Sequence, residues 1–443
     1  MKRVLFMLPA VLLLLFALTG CAEKSKLDPR DPVTLTMWHV YGEQADSPMN
    51  RLVDEFNTTV GAEKGVLVTV TNVTSTSKIS MQLQEAMSNA PDAPEMPDLF
   101  SAHTATAAEL GADRLLDWKD YFSEDELAGF VPEFVSDGMM GEKLAVFPVS
   151  KSTYALFLNG SQFSRFSADT GVSYDDLATW EGFFDAAAQY YQWSGGKPFC
   201  AFDYLIRHVE FDVMSKGDEL AYTEDGWYDT ESSSLRESWL KFARPLAQGH
   251  IVVADEYSNT QVMTGETLSG IGSSAGIIYY NDTVTYPDNS SEPMDLKVLP
   301  LPKSGSEEQY MPMTGVGLCA YATTEEKAEA ASVFIHWLTE GERNLDFVVE
   351  TGYMPVNNEA FAAIESYTDF PSEGYASLFR AIKTMREDYT PVVRPTLNGY
   401  YDKVDTLYAG LRQLSPELRQ RAEQGEEIDE LVMETWLLFC SIS

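Results

Sequence analysis

Over residues 33–100 the hydrophobic period of the chain switches from two to about 3.6 and back, twice. Val33, Leu35 and Met37 alternate with Thr34, Thr36 and Trp38, the pattern of a strand. Ser47-Pro48 then offers an N-cap and a first helical residue, and Leu52, Val53 and Phe56 follow at helical spacing. Residues 66–70 read as a second strand and Ile79, Leu83 and Met87 as a second helix. Asp98-Leu99-Phe100 is a third strand after the proline-bearing stretch 91–97. This order leaves few folds open, because a helix between two strands carries the chain back across a sheet. The strands are therefore expected to run parallel, with right-handed crossovers. Ligands of such sheets sit beyond the carboxyl ends of the strands. That rule points to residues 39–43 and to Ser101-Ala102-His103.

A second unit of the same kind begins near Lys143. Residues 144–153 lead into a strand over 154–158; Ser173-Tyr174-Asp175-Asp176 and Thr179-Trp180-Glu181 start helices, with Phe183, Phe184, Ala187, Tyr190 and Tyr191 on the apolar stripe. Residues 296–302 form a proline-punctuated extended segment of the kind that carries a chain between lobes. Thr323-Thr324-Glu325-Glu326 has the form of a capping box before Val333, Phe334, Trp337 and Leu338. The stretch from Ser415-Pro416-Glu417 to Phe439 is helical and amphipathic. At 443 residues with 44% hydrophobic content, the chain has material for two domains with real cores.

The first residues have a different character. Met1-Lys2-Arg3 precedes an apolar run over residues 4–18, followed by Leu18-Thr19-Gly20-Cys21, the order of regions in a signal peptide. The run is shorter than a membrane span needs. A Cys directly after small residues resembles the lipobox of bacterial lipoproteins. Residues 1–20 are thus expected to leave as a signal, Cys21 to be lipidated, and residues 21–32 to act as a tether at the cell-membrane surface. Losing Lys2 and Arg3 takes the formal charge from −37 to −39, a surface that repels nucleic acid and anionic headgroups. Cys200, Cys319 and Cys440 form no CxxC and imply neither a disulfide framework nor a zinc site; Cys319 sits in an apolar strand-like run.

In order, Leu35-Thr36-Met37-Trp38-His39, Phe147-Pro148-Val149-Ser150 before residues 154–159, Asp176-Leu177-Ala178-Thr179-Trp180, residues 298–302, residues 331–338 and Thr351-Gly352-Tyr353-Met354-Pro355-Val356 span nearly the whole chain. Together they resemble family 1 extracellular solute-binding proteins, which feed carbohydrate ABC importers. The resemblance implies two α/β lobes of the type II periplasmic-binding-protein fold, each a mixed, mainly parallel sheet flanked by helices, closing on a ligand in the cleft. It puts crossings near Pro148, residues 298–302 and residues 354–356. The first lobe is then 33–148 plus 303–353, and the second 149–302 plus 357–443. Trp38-His39, residues 150–153, Gly352-Tyr353 and Arg394 are similar to the branch that includes glycerol-3-phosphate and glycerophosphodiester binders.

A sugar presents hydroxyl edges and flat apolar faces, so its site needs hydrogen-bonding side chains beside aromatic rings. Glu43, Ser101, Ser150, Ser152 and Thr153 suit the hydroxyls; Trp38, Tyr41, Trp180, Tyr353 and Tyr400 suit the faces, although Trp38 and Trp180 abut element starts where core rings are common. His39 serves equally as a ligand contact or a structural histidine. A phosphate ester would call on Arg394, while the turn over 270–276, with Ser273 and Ser274, offers backbone N–H groups. Gly315 completes the expected ligand contacts. Gly272-Ser273-Ser274-Ala275-Gly276 also fits the G-x-S-x-G elbow of a serine hydrolase. The only later histidine is His336, expected to be packed inside an apolar helix, so the chain is read as a binding protein rather than an enzyme. No HExxH, EF-hand loop or P-loop occurs, and no cofactor or metal is expected. The expected partners are a sugar or glycerophosphate-type solute, ABC permease subunits with their ATPase, and the membrane through the anchor, with the protein a monomer.

Overall fold

The computed structural model of the chain describes residues 25–41, 47–73, 76–88, 90–321, 324–393, 397 and 399–442. It opens with β1 (Val33–His39), α1 (Pro48–Thr58), β2 (Val66–Asn72), α2 (Thr76–Met87) and β3 (Leu99–Ala102). β1 lies between β2 and β3 and is parallel to both, as the alternating periods predict. Leu35 and Met37 are fully buried, each contributing about 1.5–3 kcal/mol by leaving water. The Ser47 hydroxyl accepts the Asn50 N–H at 3.3 Å and so caps α1. Asp98 is buried but satisfied: it accepts from the Thr36 N–H at 2.9 Å, the Thr36 hydroxyl at 3.1 Å and Lys327 Nζ at 2.6 Å. A buried carboxylate with three donors pins β3 against β1.

The second layer comprises β4 (Tyr154–Asn159), α3 (Trp180–Trp193), β5 (Cys200–Phe202), α4 (Leu205–Ser215), β6 (Ile251–Val252), α5 (Ser258–Met263), β7 (Ser269–Ser273) and β8 (Leu296–Leu299). The strand order is β8-β4-β7-β5-β6. β5 is parallel to β6 and β7, whereas β4 is antiparallel to β7 and β8. The Ser173 capping box and the Thr179 cap both form. The glycine-rich stretch 270–276 is not a turn but the body of β7 followed by a tight 3₁₀ segment, Ser274–Tyr279. A Cβ on Gly272 would stand 2.2 Å from Asp203 Oδ2 and 2.9 Å from Ser258 Oγ, so this glycine lets a carboxylate and a helix close on the strand.

The chain continues through β9 (Tyr310–Pro312), β10 (Gly317–Ala320), α6 (Glu325–Leu338), α7 (Gly341–Thr351), α8 (Asn358–Ile364), α9 (Glu373–Asp388), β11 (Thr390–Val392), α10 (Tyr400–Glu423) and α11 (Ile428–Cys440). β10 returns to the first sheet, antiparallel to β3. Three crossings lie side by side: Phe147 opposite Leu318, Ser152 opposite Thr314, and Lys151 opposite Met354. Residues 298–302, expected as a crossing, lie along the second sheet. Val298 and Leu299 are hydrogen-bonded to β4, and Lys303 to the Thr179 turn, so the prolines end an edge strand of the second sheet. α10 also runs through Pro416 rather than starting there. Thr324 caps α6 by accepting the Lys327 N–H, while Thr323 lies outside the described residues. One apolar cluster runs through both lobes, and a smaller one around Ile79, Leu83, Phe100 and Cys319 completes the first.

Candidate functional site

The carboxyl ends of β1 and β3 meet the first crossing, and hydroxyl groups collect there. Tyr41 is buried, its ring edge-on to Phe347 at 5.4 Å and to Tyr353 at 5.7 Å. Burial pushes its hydroxyl up to about 12, with Ser150 and Ser101 beside it pulling the other way. Yet Tyr41 Oη, Ser101 Oγ, Ser150 Oγ and Thr153 Oγ1 are all buried without a well-formed hydrogen bond among the described residues. Leaving one buried polar group unpaired costs about 1–3 kcal/mol; Tyr41, Ser101 and Ser150 face one another and can partly serve each other, which leaves hydrogen-bonding capacity spare at this floor. The Ser274 N–H donates to the Thr153 carbonyl at 2.7 Å, joining the second lobe to this floor. Ser152 pairs through its backbone with Thr314, one residue before Gly315.

Tyr353 lies over Phe347 with ring centres 6.2 Å apart, and burial beside Tyr41 and Tyr279 raises its hydroxyl. Gly352 precedes it with φ 73°, and a Cβ there would meet Ile277 Cγ2 at 2.4 Å. Only glycine lets the third crossing approach the 3₁₀ segment so closely. His39 turns away from the floor. Its Nδ1 accepts the Tyr41 N–H at 3.1 Å, which leaves Nε2 to donate to Asn50 Oδ1 at 2.9 Å; burial holds it down to about 4, neutral and fully used within the protein. His103 is likewise held down to about 4 by burial and by Lys151. Lys151, buried at the third crossing, is ion-paired with Asp137.

The second lobe supplies residues that sequence reasoning missed. Asp203 follows β5 directly; burial pushes its carboxyl up to about 6, although Oδ1 accepts the Ser258 N–H at 2.6 Å. Tyr204 beside it stacks on Tyr154, 6.0 Å apart and 10° from parallel. Burial, together with Tyr154, Tyr257, Asp203 and Tyr401 around it, raises the Tyr204 hydroxyl. Tyr257, Tyr279 and Tyr401 are 66%, 52% and 52% exposed, three of the few large rings the protein leaves in water. The rule that selected Ser101 at the end of β3 selects Asp203-Tyr204 at the end of β5. Residues 200–202 are too short and too plain a strand to announce themselves in sequence.

Other expected contacts are placed elsewhere. Trp180 is core: its ring packs against Phe242 at 4.8 Å and His208 at 5.3 Å, because the first residue of α3 faces the sheet. Tyr400 is also turned inward, its hydroxyl 2.6 Å from that of Tyr228 and 3.1 Å from Glu210, while its neighbour Tyr401 faces out. Ser273 is half-buried in the ladder opposite Tyr154. Glu43, Arg394 and Cys21 lie outside the described residues. His336 is not a packed core imidazole. It stacks on Phe122 at 3.7 Å and its Nε2 is 3.3 Å from Glu126, while Ser274 has the Thr153 backbone beside its hydroxyl. The Ser–His pairing of a hydrolase is therefore not assembled from these two residues. Among the described residues no group of three or more His, Cys, Asp or Glu side chains is arranged to hold a metal ion, and no helix is long and apolar enough to cross a membrane.

The model of a family described as bacterial extracellular solute-binding protein matches residues 51–372. No curated protein matches the sequence significantly. Among solved structures, UgpB from Mycobacterium tuberculosis in complex with glycerophosphocholine is similar with a TM-score of 0.65 at 16% identity, over 93% of this chain and 98% of that one. The GacH receptor of Streptomyces glaucescens, solved unliganded and with acarbose, gives 0.64 at 15% identity over 93% and 99%. The sugar-binding protein MalE from Xanthomonas citri gives 0.64 at 15% identity over 92% and 98%. At these identities the likeness establishes the two-lobed fold.

Proposed function

The chain belongs to the bacterial extracellular solute-binding proteins, and from that premise we propose that it is the capturing subunit of an ABC-type importer for a carbohydrate-type solute. The observation that carries the ligand class is the pairing of two surfaces. The floor holds four buried hydroxyls with no well-formed hydrogen bond, and the second lobe holds Asp203 among exposed and half-exposed tyrosines. Hydroxyls of a sugar satisfy the first, and its apolar faces lie on the second. Solute bridging both lobes stabilises the closed form by the contacts that closure adds, and the closed form docks on permease subunits driven by an ATPase. The proposed lobes are residues 33–148 with about 314–364, and 149–313 with about 373–443, since Asn357, Asn358 and Phe361 pack on Phe130, Gly129 and Phe134. Residues 1–20 act as an export signal and Cys21 as the lipid anchor of a monomer at the cell surface, supported by the apolar run over 4–18 and Leu18-Thr19-Gly20-Cys21.

A second reading, a glycerol-3-phosphate or glycerophosphodiester binder, is favoured by the likeness to UgpB and by Arg394. The sugar reading is preferred because Lys151, at the hinge, is already held by Asp137, and Asp203 on the second lobe opposes an anion. A thermal-shift screen of mono- and oligosaccharides, polyols and glycerophosphodiesters decides between them: stabilisation by sugars supports the proposal. Stabilisation confined to phosphodiesters and lost in Arg394→Ala replaces it with the second reading. Radiolabelled palmitate incorporated by the wild type and not by Cys21→Ala tests the anchor.

A further inference from the structure

The carboxyl ends of β5, β6 and β7 lie on one edge of the second sheet, because β5 is parallel to both of its neighbours. β4 is antiparallel to β7, and its register sets Tyr154 opposite Ser273, so the start of β4 reaches the same edge. Asp203-Tyr204 follows β5 there, and Asp255-Glu256-Tyr257 follows β6 shortly after its end. β7 lies between β4 and β5 and ends on Gly272 and Ser273, small enough for Tyr204 to reach across and stack on Tyr154 at 6.0 Å. Tyr154 directly follows Thr153, so this ring surface continues the hydroxyl floor.

Within it, half-buried Asp203 is a carboxylate without a counter-charge. Ser258 offers its N–H, at 2.6 Å, and its hydroxyl, which fill two of the roughly four acceptor positions of a carboxylate. No cation acts on Asp203 among the described residues, and the cations of the adjoining segments are committed elsewhere. Arg207 is paired with Glu210, Arg412 with Asp255 at 3.2 Å, Lys403 with Asp225 and Lys151 with Asp137. The rim around Tyr257 and Tyr401 adds Glu256, Asp402 and Asp405, and burial with Asp402 beside it raises the Asp405 carboxyl although Arg412 pulls the other way. A neutral hydroxyl would use the spare lone pairs of Asp203 and leave its charge unbalanced away from bulk water, which is costly. A cation with N–H groups meets both needs, and the faces of tyrosine rings attract the same charge.

We propose that the solute captured in the cleft carries a protonated amine, which donates to Asp203 and lies against the Tyr204 and Tyr257 rings while sugar hydroxyls meet the floor. The inference rests on the carbohydrate reading and narrows it to amino sugars and their glycosides. The acidic rim draws such a solute in, and Asp203 selects it over its neutral counterpart.

Calorimetry on the mature chain at pH 7 compares glucose with its 2-, 3- and 6-amino derivatives, and cellotriose with the glucosamine trimer and its N-acetylated form, with choline as a cation that is not a sugar. At least one amine is expected to bind about tenfold or more tightly than its neutral counterpart, and N-acetylation to remove the gain. Asp203→Asn is expected to abolish the preference, and Tyr257→Leu, which keeps apolar bulk without the aromatic face, to reduce it. The readout is a ratio within each variant, so a partial loss of fold does not imitate it. Neutral sugars bound as tightly as every amine, or a preference that survives Asp203→Asn, overturns the inference and leaves the carbohydrate reading standing; a preference unchanged by Tyr257→Leu overturns the ring contact. Choline bound while no sugar binds retains the cation site and overturns the carbohydrate reading, and no binding by any of these solutes overturns both.

Discussion

Asp203→Asn is expected to make the protein more stable and its cleft worse at binding. In the folded protein burial raises the Asp203 carboxyl from the ordinary 3.8 to about 6. A raised carboxylate pKa means that the folded state holds the proton more tightly than the unfolded chain does. This contribution is therefore fully present below pH 3.8, is lost as pH rises towards 6, and is flat above that. About two pH units correspond to roughly 3 kcal/mol, a ceiling because water reaches part of the group. Asparagine keeps an oxygen for the Ser258 N–H and carries no charge. The difference between variant and wild type should thus be near zero at pH 4 and grow to a few kcal/mol in favour of the variant above pH 6. Urea unfolding of both proteins at half-unit steps from pH 4 to 8 measures it, and other titrating groups cancel in the difference. At pH 7 the variant should bind the solute found by screening about tenfold to a hundredfold more weakly, the worth of a hydrogen bond to a charged group. A variant less stable than the wild type at pH 7, or a gap that does not change with pH, would refute the argument that burial of this charge is a cost retained for binding.

Gly272→Ala drives a Cβ into Asp203 Oδ2 and should cost about 1–3 kcal/mol in urea unfolding, less when combined with Asp203→Ala. Lys151→Met strands the Asp137 carboxylate beside a buried hinge and should cost up to about 3–5 kcal/mol, with Asp137→Asn recovering part of it in the double variant. His103 has its folded pKa depressed to about 4, so stability should fall as pH drops from 6.5 towards 4; His103→Gln should flatten that leg of the stability–pH curve by up to about 3 kcal/mol. Tyr257→Ala and Tyr401→Ala, both at exposed rings, should weaken solute affinity by calorimetry while moving the melting temperature little.

What the sequence made legible was periodicity, and what it hid was direction. The period of two over residues 33–38 and the Ser47-Pro48 cap sufficed for β1 and α1, because both are local patterns with one low-energy outcome. At residues 296–302 an edge strand ended by prolines and a linker punctuated by prolines are the same string; only the ladder to β4 reveals the strand. Tyr400 and Tyr401 differ by one helical step, about 100°, and no local signal says which of two adjacent tyrosines finds Glu210. Trp180 likewise has the composition of a ligand platform and the neighbours of a core residue. Ser101 and Asp203 follow one rule, but only the first had a strand long enough to invoke it.

The hydroxyl cluster also bears on how closure is driven. A solute shifts the lobes only through contacts that differ between open and closed forms. Hydroxyls that water reaches in an open cleft and that are incompletely paired when buried oppose closure of the empty protein, by up to about 1–3 kcal/mol for each bond left unmade. A solute that supplies partners to Tyr41, Ser101, Ser150 and Thr153 removes that opposition in the closed form and gains nothing comparable in the open one. Such groups contribute towards the few kcal/mol needed to invert a two-state population, without any lobe-to-lobe contact made for the purpose. It follows that Thr153→Val, which deletes the one hydroxyl of the four with no neighbouring hydroxyl to serve it, should ease closure of the empty protein while weakening solute binding. Scattering profiles of the unliganded variant should therefore be more compact than those of the wild type, and an unchanged or more open profile would show that the hydroxyls do not set the balance.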